Sequence, residues 1–220
     1  MITRFRDRSD AGKLLAQQLQ AYRNCPDVVV LGLPRGGVPV AFEIARSLNA
    51  PLDLCLVRKL GVPTQKELAM GAIALGGVRV INREVVDWLN IPNTVIATVT
   101  AEEEAELHRR DRLYRGHRPP PPIENQTIIL VDDGLATGST MRAAIAALKK
   151  QQPEYLIVAV PVAPVSVYQE LSTEVDQVVC LLTPEPFQAI GIWYEDFTQT
   201  TDEQVRDCLE QASFSSSVDR

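Results

Sequence analysis

The chain has 220 residues, of which 45% are hydrophobic, enough for a full core, and no apolar run approaches the ~20 residues of a membrane helix. Its net charge of −6 argues against a general nucleic-acid binder, which needs cations to face phosphates. Residues 1–6 lack the apolar stretch of a secretory leader, and Cys25, Cys55, Cys180 and Cys208 lack the paired spacing of a disulfide or zinc framework. A cytoplasmic protein with reduced thiols is expected, one that binds neither membrane nor nucleic acid.

Leu14, Leu15 and Leu19 recur at helical spacing and predict a helix over 10–22. Val28 to Leu33 is a continuous apolar run, as in a strand covered on both faces of a parallel sheet. Pro34-Arg35-Gly36-Gly37 follows at once, ahead of a helix expected over 38–48. That is a tight loop at a strand's carboxyl end, with one cation and two glycines free to take unusual backbone angles. A second strand is expected over 51–57. Arg58 and Lys59 close it, which sets a basic pair at the sheet's carboxyl edge. Residues 61–70, with Gly61, Pro63, Thr64, Gln65, Lys66 and Glu67, read as a mobile polar segment.

Ala72 to Leu75 and Val78 to Ile81 flank Gly76-Gly77 as a β-hairpin, and Asn82 is placed to cap a short helix. Residues 100–115 read as a charged surface helix. Thr100 and Glu103 have capping-box spacing, acids precede arginines, and Glu106 and Arg110 lie one turn apart. Arg109, Arg112 and Arg115 are its candidates for a ligand or a second subunit, so a homo-oligomer stays open. His108 and His117 are expected at the surface, and Pro119 to Pro122 form a stiff connector.

The most informative stretch runs from Ile128 to Thr140. Ile128-Ile129-Leu130-Val131 is a short buried strand, Asp132 and Asp133 stand at its carboxyl end, and Gly134-Leu135-Ala136-Thr137-Gly138-Ser139-Thr140 leads into an Ala-rich helix. Small residues leave backbone N–H groups open to an anion. With the hydroxyls of Thr137, Ser139 and Thr140 and the helix start, they suit a phosphate. The two carboxylates are acceptors and suit paired sugar hydroxyls. A Walker loop is excluded because no lysine lies between Gly134 and Thr140, and the glycine spacing is wrong for a dinucleotide fingerprint.

Beyond it, strands are expected over 155–160 and 176–182, with a helix over 165–171 between them. Residues 183–196 break this alternation and gather Phe187, Trp193 and Tyr194. Thr201 opens a last helix with Val205 and Leu209 inward, and a tail starts at Ser213. The sum is an α/β fold: a parallel five-stranded sheet at about 28–33, 52–57, 127–132, 155–160 and 176–182, with flanking helices and a small C-terminal hood. One domain is expected over 1–220, its core at about 24–183 and its hood with the last helix at about 184–212.

The 128–140 stretch resembles the PRPP-binding signature of the type I phosphoribosyltransferases, and Leu33-Pro34-Arg35-Gly36-Gly37 is similar to the family's pyrophosphate loop. The resemblance covers roughly 28–183 and implies transfer of 5-phosphoribosyl from Mg-PRPP to a nitrogen acceptor such as a nucleobase-like heterocycle. It implies Asp132, Asp133, Arg35 and Lys59 as the catalytic set, with Asp132 and Asp133 on Mg²⁺ directly or through water. It implies Ala136, Thr137, Gly138, Ser139 and Thr140 on the 5-phosphate, and Arg35, Gly36, Gly37, Arg58, Lys59 and Lys66 on pyrophosphate. The segment Phe187 to Glu195 is loosely similar to the base-binding part of purine-salvage members, which implies Phe187, Trp193 and Glu195 on the acceptor. No general base stands out beyond Asp133 or Glu195. A PRPP- or nucleotide-binding regulator without transferase activity is the alternative, and a PRPP-hydrolysing or phosphatase activity a lesser one.

Overall fold

The computed structural model describes residues 4–63, 65–116 and 118–215, without side-chain detail at 66, 67 and 213–215. The expectations for Thr64 and His117, and for the tail past residue 215, lie outside the described residues. In chain order the elements are α1 (Arg8–Gln18), β1 (Val28–Gly32), α2 (Gly37–Leu48), β2 (Leu52–Leu54), β3 (Val57–Val62), β4 (Gln65–Ala74), β5 (Val78–Ile81), α3 (Arg83–Trp88), α4 (Asn93–Tyr114), β6 (Thr127–Val131), α5 (Ser139–Lys149), β7 (Tyr155–Val162), α6 (Val165–Glu174), β8 (Gln177–Leu182) and α7 (Asp202–Ser215). They form two compact units. One holds Met1–Cys55, Arg118–Gly138 and Gln152–Arg220; the other holds Leu56–His117 and Ser139–Gln151.

The first unit is built on a five-stranded sheet in the order β2-β1-β6-β7-β8. Every pairing in it is parallel. Every residue of β1 and of β6 is buried, which is why both read as unbroken apolar runs rather than as alternating ones. Leu15 and Leu19 from the N-terminal helix and turn, Ile44 and Leu48 from α2, and Val30, Ile129 and Ile157 from the sheet share one core. The helix α1 starts two residues before its predicted start, because the Asp7 side chain accepts from the Asp10 backbone N–H at 2.7 Å and caps it. A capping box also opens α7: Thr201 N–H donates to Gln204 Oε1 at 2.9 Å, and Gln204 N–H donates to Thr201 Oγ1 at 3.1 Å.

Three expectations are corrected. The strand expected over 51–57 ends at Leu54, so Arg58 and Lys59 are not at the edge of the parallel sheet; they lie inside β3, which pairs antiparallel with β4. The mobile segment expected over 61–70 falls, at most of its described residues, on the end of β3 and on β4. Leu60, Val62, Met70 and Ala72 are buried, but Gly61 and Gly71 stand between them and the register shifts at Gly61, so no apolar–polar alternation marks the pair. The long helix starts at Asn93 after Pro92, not at Thr100, whose hydroxyl instead donates to Ile96 O at 2.7 Å inside the helix.

In the second unit, β3, β4 and β5 form an antiparallel sheet. The β4–β5 hairpin turns on Gly76 and Gly77 at φ +80° and +77°, angles that exclude most side chains. Asn82 Oδ1 accepts from Val85 N–H at 3.3 Å and caps α3. On α4, Arg109 and Arg110 both hold Glu106, at 2.7 and 2.8 Å, and lower its carboxyl to about 2. No described helix is long and apolar enough to cross a membrane.

Candidate functional site

Strands β1 and β6 lie side by side, in register from Val28↔Thr127 to Gly32↔Val131. The chain leaves β1 towards β2 on one side and leaves β6 towards β7 on the other. Their carboxyl-end loops therefore open where the strand order reverses, the usual ligand position of an open α/β sheet.

The first loop is Pro34 to Gly37. It is tied down by Leu33 N–H donating to Val131 O at 2.9 Å and Gly37 N–H donating to Leu33 O at 3.0 Å, and the Pro34–Arg35 peptide is cis. Gly36 has an ordinary φ of −63°, so its requirement is space. A Cβ there would stand 1.9 Å from Asp133 Oδ2, and one at Gly37 would stand 2.7 Å from Val131 O and 2.8 Å from Asp132 Cα. The two glycines let the loop backbone lie directly against the carboxylate pair.

Within that pair, Asp133 N–H donates to Asp132 Oδ1 at 2.9 Å. Burial, and then the neighbouring Asp133 carboxylate, push Asp132 well above the usual carboxylate range. Asp133 has a counterion from the first turn of α1: Arg8 Nε and Nη2 each lie 2.8 Å from its Oδ2. Arg8 Nη1 donates to Thr198 O at 2.7 Å, and its guanidinium sits 4.1 Å above the Phe197 ring. The Tyr194 hydroxyl donates to Asp133 O at 2.6 Å. Burial and then the Asp133 charge raise that phenol above its usual range.

The second loop continues from Asp133. Gly134 takes φ +149° under the Ile190 side chain, where a Cβ would meet Ile190 Cγ2 at 2.6 Å. Leu135 N–H donates to Val162 O at 2.9 Å, and Gly138 takes φ +70°. Ala136 and Thr137 are exposed. Ser139 and Thr140 are the first two residues of α5, so their N–H groups belong to a helix start.

The remaining predicted residues fall on other elements. Arg35 is half-buried, with Nη1 3.6 Å from Asp202 Oδ1 at the start of α7. In the second unit, Arg58 Nε is 2.5 Å from Glu103 Oε2 and Lys59 is half-buried next to it on β3. Lys66 falls on β4, and its side chain is outside the described ones. Of the hood aromatics, Phe187 lines a cavity of about 480 Å³ with Pro164, Val165, Ser166 and Pro184 to Pro186. This cavity follows the carboxyl ends of β7 and β8. Trp193 packs against the cluster of Phe5, Ala11 and Tyr194. Its buried indole N–H meets no acceptor among the described residues. Glu195 is exposed.

Arg8 and Tyr194 were not among the predicted site residues. Arg8 lies 125 positions before the carboxylate it holds, and no local pattern joins them. The one available signal is the cap at Asp7, which fixes Arg8 in a first helical turn.

Residues 5–192 match the family model described as a phosphoribosyl transferase domain. A Mycobacterium tuberculosis protein named "Putative phosphoribosyl transferase", from strain H37Rv, is 46% identical over 208 residues, which is 94% of this chain and 47% of that protein. The chain thus spans about half the length of that relative. Uracil phosphoribosyltransferase of Lactobacillus gasseri is 31% identical over 147 residues, covering 64% of this chain and 68% of that one. Among solved structures, TT1426 from Thermus thermophilus superposes with a TM-score of 0.86 at 40% identity, over 94% of this chain and 98% of that one.

Proposed function

The chain belongs to the phosphoribosyl transferase domain family, and on that premise we propose that it transfers 5-phosphoribosyl from Mg-PRPP to a nitrogen of a neutral heterocycle, releasing pyrophosphate. The observation that carries this reading is the pair of carboxylates set between two backbone-lined loops at the sheet's switch point. The N–H groups from Ala136 to Thr140 and the hydroxyls of Thr137, Ser139 and Thr140 hold the 5-phosphate. That contact is remote from the reacting carbon and fixes the sugar's orientation. Asp132 and Asp133 accept from the ribose hydroxyls and face the positive charge that develops on the sugar as its bond to pyrophosphate breaks. The backbone of Gly36 and Gly37 and the guanidinium of Arg35 receive the leaving group, and Arg35 exchanges its long contact with Asp202 for it.

The donor chemistry fits Mg²⁺. No cluster of three or more His, Cys, Asp or Glu residues stands ready for a metal among the described residues, but two adjacent hard carboxylates do. Mg²⁺ is commonly held by one or two carboxylates with substrate phosphates completing its shell. When bound through Asp132 and Asp133, it supplies charge neutralisation at the pyrophosphate.

The cavity bounded by Phe187 is the acceptor's place in this reading. Three prolines, Val165 and Phe187 make apolar walls for a flat ring, and Ser166 supplies a hydroxyl. Its lining contains one carboxylate, Glu185, and no cation, which disfavours acceptors that carry a carboxylate of their own. Pyrophosphate release, measured with Mg-PRPP against a panel of neutral and anionic nitrogen heterocycles, tests the proposal. Release that depends on one neutral ring is the expected result. Tight PRPP binding with no release for any ring refutes the transferase and leaves a PRPP-binding regulator. Replacing both Asp132 and Asp133 by Ala abolishes Mg-PRPP binding in calorimetry; retained affinity refutes the site.

A further inference from the structure

Arg8 does not belong to either loop at the switch point, yet its guanidinium is committed entirely to that neighbourhood. It places Nε and Nη2 on Asp133 Oδ2, Nη1 on Thr198 O and its flat face on Phe197, and its side chain is only 12% exposed. The same oxygen of Asp133 lies where a Cβ of Gly36 would be. Asp133 is thus gripped from one side by Arg8 and backed on another by the Gly36 backbone.

The segment carrying Arg8 is stitched to the hood. Phe5 N–H donates to Trp193 O at 2.8 Å, Glu195 N–H to Phe5 O at 2.8 Å, and Asp196 N–H to Arg6 O at 2.9 Å. The Phe5 and Tyr194 rings lie 5.3 Å apart, those of Tyr194 and Phe197 4.9 Å, and Tyr194 closes the circuit through Asp133 O. Residues 5–8, 133 and 193–198 therefore form one connected strap across the loop that follows β6.

We infer that Arg8 is a positioning residue for the sugar site: it holds Asp133 against the Gly36 backbone and ties the hood to the loop that binds the sugar. The inference rests on the phosphoribosyl reading above. Without Arg8, the Asp133 carboxylate loses the guanidinium that fixes it, so its side chain swings and the diol loses a pre-set acceptor. Arg8 acts through Asp133 and makes no contact with substrate.

The test is calorimetry with Mg-PRPP on wild type, Arg8→Met, Arg8→Lys, Asp133→Asn and the Arg8→Met/Asp133→Asn double variant. Arg8→Met is expected to weaken binding by about tenfold or more, as loss of a charge-assisted bond does. Arg8→Lys recovers part of that loss, since one ammonium replaces a fork. The double variant binds no more weakly than Asp133→Asn alone. Wild-type affinity in Arg8→Met, or losses that multiply in the double variant, overturns the inference. Hydrogen exchange on the wild-type protein decides the matter even if Arg8→Met fails to fold. Mg-PRPP should protect the amides of residues 194–196 along with those of 133–138, and protection confined to 133–138 overturns the strap. Wild type that does not bind Mg-PRPP at all defeats the phosphoribosyl reading itself, a result distinct from wild type that binds and does not need Arg8.

Discussion

The substitution Gly36→Ala isolates the closest approach in the candidate site. The backbone at Gly36, φ −63° and ψ −32°, suits alanine, so no conformational penalty enters. The whole cost comes from one methyl group placed 1.9 Å from Asp133 Oδ2 and 2.5 Å from its Cγ. That is roughly 1.5 Å inside an ordinary contact. Asp133 has a short side chain, and Arg8 holds the struck oxygen at 2.8 Å, so relief needs movement of the pair rather than of a free end. Overpacking of this kind costs about 1–3 kcal/mol, which on a chain of this length lowers Tm by roughly 2–12 °C. Since the displaced group is the proposed diol acceptor, calorimetry with Mg-PRPP should show weaker binding alongside the melting shift. Gly37→Ala strikes backbone at Val131 O and Asp132 Cα and should cost more stability than Gly36→Ala. Gly76→Ala is the control: it meets nothing within 4 Å but sits at φ +80°, so it costs about 1–2 kcal/mol of backbone strain and leaves Mg-PRPP affinity unchanged. A Gly36→Ala protein with wild-type Tm and wild-type affinity would refute the packing of this loop on Asp133.

Three further outcomes are expected. Thr201→Ala removes a reciprocal cap and should cost about 1 kcal/mol in chemical denaturation, whereas Thr100→Ala, inside α4, should change stability by only a few tenths. Burial raises the thiols of Cys180 and Cys208 to about 11, so their reaction with an aromatic disulfide should be slow at pH 8 and rise about tenfold per pH unit up to that value; rapid reaction at pH 8 contradicts their burial. Asp132 binds its proton more tightly in the folded chain than in the unfolded one, so its contribution to stability falls as pH rises from the ordinary carboxylate range through its folded titration. Asp132→Asn should flatten that fall, giving a more stable protein at neutral pH that no longer binds Mg-PRPP; equal pH dependence of the two Tm curves contradicts the raised carboxyl.

What could be read from the chain alone follows from how far each interaction reaches along it. The central parallel strands β1, β6 and β7 were legible because burial on both faces writes an unbroken apolar run, as in Val28 to Leu33 and Ile128 to Val131. The two loops were legible because a close backbone approach demands glycine at fixed offsets from a strand end, and Gly36 and Gly37 do face the carboxylates. The β3–β4 hairpin was not, because glycines at 61 and 71 separate its buried residues Leu60, Val62, Met70 and Ala72 and its register shifts at Gly61, which leaves no apolar–polar alternation to read. Thr100 misled for a related reason: a capping box is a local pattern, and α4 was already under way from Pro92 when the chain reached it. The Arg8–Asp133 pair lies at the far end of that scale, since its partners are 125 residues apart and neither sits in a pattern that names the other. The carboxylate pair makes the omission physically consequential. Two adjacent acids beside glycines can be recognised as a site from their types and spacing. Whether both are available to a substrate depends on the counterion that α1 brings to one of them, and only the fold supplies it.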